Sequence, residues 1–137
     1  MIAPRAVILD NEPVGALINP SHPKHGRALA IVEALTARRP TQVLVVPTSV
    51  RVEAGWDRTA PRSAIINRLR FTDHSLDPNS ANHAASIRAV LGISAVDAHI
   101  ASALRGSDRP AVLVTSDVGD GRRIISYLGI DASIVRL

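Results

Sequence analysis

The chain should fold as an α/β protein, a three-layer α/β/α sandwich around a parallel five-stranded sheet. Two observations lead there. Ala6-Val7-Ile8-Leu9, Val43-Leu44-Val45-Val46 and Ala111-Val112-Leu113-Val114 are unbroken apolar runs, as expected of strands covered on both faces. Between and around them lie stretches with helical spacing, N-cap residues and helix stop signals. Strands that alternate with helices need crossover connections, and these make the sheet parallel.

The elements follow in order. A strand from Ala6 to Leu9 ends at Asp10, and Glu12-Pro13 opens a short helix, Pro being tolerated in a first turn. Asn19 to Gly26 is a loop rich in breakers. A helix should run from about Arg27 to Arg38 on Leu29, Ile31, Val32 and Leu35, stopped by Arg39-Pro40. After the strand at Val43 to Val46, Thr48 or Ser49 is expected to cap the helix that carries Glu53. Pro61 begins another helix, through Ile65, Ile66 and Leu69, and Arg70 to His74 suits a short strand. Asp77-Pro78 starts a helix that reaches Leu91 and stops at Gly92. Ser94 with Asp97 three residues on reads as a capping-box variant, which puts Asp97 in a first helical turn. Ala111 to Val114 is a buried strand, Asp120 to Leu128 a helix and Ala132 to Val135 the last strand.

The chain has 137 residues, is expected to form one domain, and can bury a sizeable core. That core is aliphatic, since 46% of residues are hydrophobic but Trp, Tyr and Phe occur once each. The absence of cysteine excludes disulfide frameworks, thiolate zinc sites and thiol-based catalysis. With no signal-type apolar segment near the start and no stretch of membrane-spanning length, a cytoplasmic location is expected. Sixteen Lys and Arg against twelve Asp and Glu give a net charge of +4, a surplus that attracts polyphosphate. The scarcity of aromatics argues against a stacking platform for single strands.

Four acids stand where strands end or helices begin: Asp10, Glu53, Asp97 and Asp117. In an open parallel sheet the C-terminal strand ends face one crevice, so acids far apart in sequence can meet there. Clustered carboxylates repel one another, and a hard divalent cation relieves that repulsion. Each also has a plainer use, as a helix cap or a solvated surface charge.

The segments Val7-Ile8-Leu9-Asp10, Pro47-Thr48-Ser49-Val50-Arg51-Val52-Glu53, Ser94-Ala95-Val96-Asp97-Ala98-His99-Ile100-Ala101 and Val114-Thr115-Ser116-Asp117-Val118-Gly119-Asp120 occur in the order of a PIN domain. The chain resembles PIN-domain ribonucleases, in particular the VapC-like toxins of type II toxin–antitoxin systems. The resemblance implies a Mg²⁺- or Mn²⁺-dependent endoribonuclease with metal held by Asp10, Glu53, Asp97 and Asp117, and with Asp120 as a further candidate ligand. It also implies RNA cleaved to 5′-phosphate and 3′-hydroxyl ends, a homodimer, and a cognate antitoxin whose C-terminal segment occupies the groove. Thr115 and Ser116 match hydroxyl positions that orient a ligand, and Arg122 and Arg123, just after the acidic loop, are candidates for phosphate contact. Two departures stand out. Gly121 replaces an aromatic residue, and Asn11-Glu12 stands where relatives commonly place a small hydroxyl residue.

Other chemistries find less support. His99 lies about 200° around a helix from Asp97 and should face away from it. No zinc-type histidine spacing or Gly-rich phosphate motif is present, and no Ser-His-Asp set has supporting context. A phosphoacceptor receiver needs a late lysine, and the sole lysine is Lys24. The alternative from a different class is a PIN-fold RNA-binding or regulatory module with weakened cleavage.

Overall fold

The computed structural model describes residues 4–36 and 41–137. Five strands form one all-parallel sheet: β1 (Ala6–Leu9), β2 (Val43–Pro47), β3 (Thr72–His74), β4 (Ala111–Thr115) and β5 (Ala132–Arg136), in the order β3-β2-β1-β4-β5. The central strands are the apolar runs, and every residue of β1 and β4 is buried. Among the described residues seven α-helices connect them: α1 (Asn11–Ile18), α2 (His25–Thr36), α3 (Thr48–Ala54), α4 (Ala64–Arg68), α5 (Pro78–Leu91), α6 (Ala95–Arg105) and α7 (Val118–Leu128). Helix α1 packs on α2, α3 and α4 in one layer, and α5, α6 and α7 pack together in the other. This is the expected α/β/α sandwich. Among the described residues, no single helix is long and apolar enough to cross a membrane.

The strand order sets the position of the site. The chain winds outward from β1 through β2 to β3, then crosses back to place β4 on the other side of β1. The two windings part between β1 and β4, and a crevice opens at their C-terminal ends. Asp10 follows β1 and Asp117 follows β4, with the Asp10 N–H donating to the Val114 carbonyl at 3.0 Å.

Several boundaries differ from those the sequence predicts. Pro47, without a side-chain cap, holds the N-cap position of α3, so neither Thr48 nor Ser49 caps it. Arg70 has φ +60°, a left-handed conformation that cannot continue a strand, and β3 is correspondingly shorter. The segment after Pro61 is a 3-10 turn (Pro61–Ser63) followed by α4. Helix α2 begins at His25, and α7 begins at Val118 with Asp117 as its cap. The expected last residues of α2 and the stop at Arg39-Pro40 lie outside the described residues. Gly121 is explained by close approach. A Cβ there would lie 2.9 Å from Ile134 Cδ1 and 3.5 Å from both Leu113 and Thr115, so α7 lies close against β4 and β5 and any side chain at this position would first have to displace the Ile134 side chain.

Candidate active site

An open cleft of about 270 Å³ lies at the crevice and is lined by Asp10, Glu53, Asp97 and Asp117, with Asn11, Glu12 and Ser116 among their neighbours. Each acid arrives on a different element: the turn after β1, helix α3, the first turn of α6 and the turn after β4.

The chain's own donors hold most of them. Asp10 accepts its own helix's Asn11 N–H on Oδ1 and the buried Thr115 hydroxyl on Oδ2, both at 2.6 Å. Thr115 Oγ1 accepts in turn from the Asp117 N–H at 3.0 Å, so one hydroxyl ties the two strand-end acids together. Asp117 Oδ1 caps α7 by accepting from the Asp120 N–H at 3.1 Å. Glu53 accepts from the Asn11 side-chain amide at 2.8 Å. Asp97 sits in the first turn of α6, whose cap is Ser94 Oγ accepting the Asp97 N–H at 3.1 Å, the N-cap half of a capping box.

Electrostatics tie Asp97 to Asp10 and Asp117. The Asp97 carboxyl is pushed up to about 6, first by burial and then by Asp10, with the Ser94 hydrogen bond opposing and Asp120 and Asp117 adding to the rise. Mutual repulsion of this kind is what a cation relieves. The donors are all oxygen, the type a hard divalent ion prefers. Among the described residues, however, no three Asp, Glu or His side chains surround a common point closely enough to hold an ion as they stand. The donor chemistry fits a metal, and gathering the donors around one requires side-chain rotation, most simply of the exposed Glu53 away from Asn11.

Other candidates fall around the rim. Asp120 pairs with Arg123 at 3.2 Å, and Arg123 also donates to the Leu91 carbonyl at 2.6 Å. Arg122 lines a separate groove between α7 and β5, beside Ser126 and Ser133. Ser116 lines the cleft, and its hydroxyl donates to the Leu137 carbonyl at 3.5 Å.

Three further features have no signal in the sequence. Asn11 is the partner of Glu53. Lys24 pairs with Glu12 at 2.8 Å, and its hydrogen bond, with that of Ser116, holds the Glu12 carboxyl below the usual carboxylate range. His99 faces away from the cleft as expected, but it is fully buried, hydrogen-bonded to Ser49 at 2.6 Å and His74 at 3.1 Å. Burial, with His74 beside it, pushes its pKa down to about 4. The Ser49–His99 bond joins the helix carrying Glu53 to the helix carrying Asp97.

Thr115→Val keeps shape but leaves Asp10 Oδ2 and the Asp117 N–H without this partner. The expected loss is about 1 to 3 kcal/mol in urea unfolding, with Thr115→Ser recovering most of it. A loss matched by Thr115→Ser would mean that packing of the methyl group, and not the hydroxyl, matters there.

No family model and no curated protein sequence matches the chain. Among solved structures, the chain is similar to one in the crystal structure of VapBC2 from Rickettsia felis bound to a DNA fragment from their promoter. The TM-score is 0.60 at 14% identity, over 96% of this chain and 98% of that one. At that identity the likeness is one of fold.

Proposed function

We propose that the chain is a metal-dependent endoribonuclease, the toxin of a toxin–antitoxin pair. The observation that carries this reading is the convergence of Asp10, Glu53, Asp97 and Asp117 on one cleft at the point where the sheet's two windings part. The fold likeness to a chain of a VapBC2 complex supports it, as do the PIN-type segments.

Asp10, Glu53, Asp97 and Asp117 would hold a Mg²⁺ or Mn²⁺ ion, which would supply positive charge at the phosphodiester and lower the pKa of a bound water. The chain's part is placement. Thr115 and the Asn11 N–H hold Asp10 at the crevice, the α7 cap holds Asp117, and the Asn11 amide keeps Glu53 at the cleft until it turns inward. Asp120, bonded to Arg123, adds negative charge from outside the cleft lining. A cognate antitoxin and a homodimer belong to the same proposal, as does a cytoplasmic site of action.

The test is cleavage of labelled RNA by the purified chain. Cutting that requires Mg²⁺ or Mn²⁺, stops in EDTA and leaves 5′-phosphate ends is the expected result; activity that persists in EDTA overturns the reading. A second reading, a PIN-fold module that binds RNA with weakened cleavage, is favoured by the hydrogen bonds that engage the acids within the chain and by the lack of a ready three-ligand cage among the described residues. Tight RNA binding without cutting, in either metal, selects it.

A further inference from the structure

Helix α3 has a second working face. Glu53 lines the acidic cleft, while Thr48, Arg51 and Val52 line an open groove of about 430 Å³ on the adjoining face, together with Gly55, Trp56 and Arg62. Successive helical residues diverge by about 100° and a helix with side chains is about 10–12 Å thick, so the groove and the cleft share one narrow wall.

Around this groove the positive charge is built in place. Trp56 is buried, with the Arg58 guanidinium 4.2 Å and the Arg51 guanidinium 5.5 Å from its ring centroid. Both arginines also grip one carboxylate, Asp73, at 2.9 and 2.8 Å. Stacking and ion pairing fix these side chains in advance, which lowers the ordering cost of binding. Arg62 stands at the lip, where it donates to the Gly55 carbonyl at 2.9 Å and has no carboxylate within 4 Å among the described residues. Its remaining N–H donors form a planar fork suited to phosphate. Asp57 also lines the groove, but its carboxylate accepts from the Thr59 N–H and hydroxyl at 2.9 and 2.7 Å. Three arginines against Asp57 and Asp73 leave one positive charge in surplus.

An acidic cleft repels a polyanion, so cations must flank it. On the α7 side Arg123 is engaged by Asp120. On the α3 side Arg62 is free to make that contact. We infer that Arg62, backed by Arg51 and Arg58, forms a phosphate subsite that holds single-stranded RNA on the far side of α3 from the bond presented to the acidic cleft. The inference rests on the nuclease reading, since that reading places the scissile bond in the cleft.

The test measures binding of a labelled single-stranded RNA from 50 to 200 mM salt, in the Asp97→Asn background and without added divalent metal so that cutting does not compete with binding. Arg62→Ala should weaken binding roughly three- to tenfold and reduce the slope of log K against log salt by about 0.7, the value for one lost contact on a single strand. Arg62→Lys should restore the slope without the full affinity, because the charge returns but not the fork. Replacing Arg122 and Arg123 with Ala is the comparison. A slope unchanged by Arg62→Ala but lowered by that pair overturns the subsite. If the wild-type chain also cleaves RNA normally, only the subsite falls. If neither protein binds RNA at all, the nuclease reading falls with it.

Discussion

Asp97→Asn is expected to lower Mg²⁺-dependent RNA cleavage by about two to three orders of magnitude, and to make the metal-free fold more stable at pH 7. Both effects follow from the position of Asp97 in the first turn of α6, half-buried and facing the other acids. Its carboxyl titrates near 6 in the fold, mainly through burial and then through Asp10, but at ~3.9 when unfolded. Between those values the folded chain holds a proton that the unfolded chain has released. This group's stabilising contribution is therefore fully present below about pH 4 and is lost as pH rises through about 6. Asparagine mimics the protonated form and keeps its contribution at all pH values. The difference between ~3.9 unfolded and about 6 folded corresponds to ~3 kcal/mol, and solvent screening at a half-exposed site reduces that to roughly 1 kcal/mol.

His99 acts in the opposite sense. Its pKa is depressed to about 4, so the stability it carries is lost as pH falls toward that value. Comparing wild type and Asp97→Asn at each pH removes the His99 contribution, which the two proteins share. Urea unfolding at pH 4 to 7 should show the two curves together at the acid end and apart at neutrality. A gap that does not change with pH would mean that neither burial nor the neighbouring acids raise the Asp97 pKa in the fold, and unimpaired cleavage would remove it from the site.

Mn²⁺ at about 100 times its Kd should raise the unfolding free energy by about 2.7 kcal/mol, because an ion that binds only the folded state stabilises by mass action. The ion enters a cleft whose acids destabilise one another, so its binding removes the repulsion as well as adding ligand bonds. Asp10→Asn and Asp97→Asn should each lose most of that gain, whereas Arg105→Ala, an exposed residue at the far end of α6, should keep it. The readout is thermal unfolding with and without Mn²⁺ and needs no substrate. Equal stabilisation of wild type and both acid variants would place the metal elsewhere.

Much of this protein is legible in its amino-acid sequence, and for a physical reason. Strands buried on both faces must be apolar at every position, so β1 and β4 stand out as unbroken runs, and an acid directly after such a run sits at a strand end. Local capping chemistry is legible too, since the Ser94 cap needs only residues three apart. Boundaries are less so. Nothing in the sequence shows that Arg70 adopts a left-handed conformation or that Pro47 takes the place of a hydroxyl cap.

Partners distant in the chain cannot be read from it at all. Glu53 meets Asn11 across 42 residues and Thr115 meets Asp10 across 105, and no periodicity encodes such pairs. The same is true of Lys24 with Glu12, of Ser49 with His99 and His74, and of Asp73 with its two arginines. Apolar patterning and cap chemistry act locally, so the layered α/β architecture, the aliphatic core and the set of candidate acids are written in the sequence. The return of β4 beside β1 belongs to the folded chain alone, because it depends on how whole layers pack. That crossing brings Asp10 and Asp117 within reach of one threonine hydroxyl, and the packing around α3 ties one Arg62 nitrogen to the Gly55 carbonyl with no carboxylate paired to the guanidinium among the described residues.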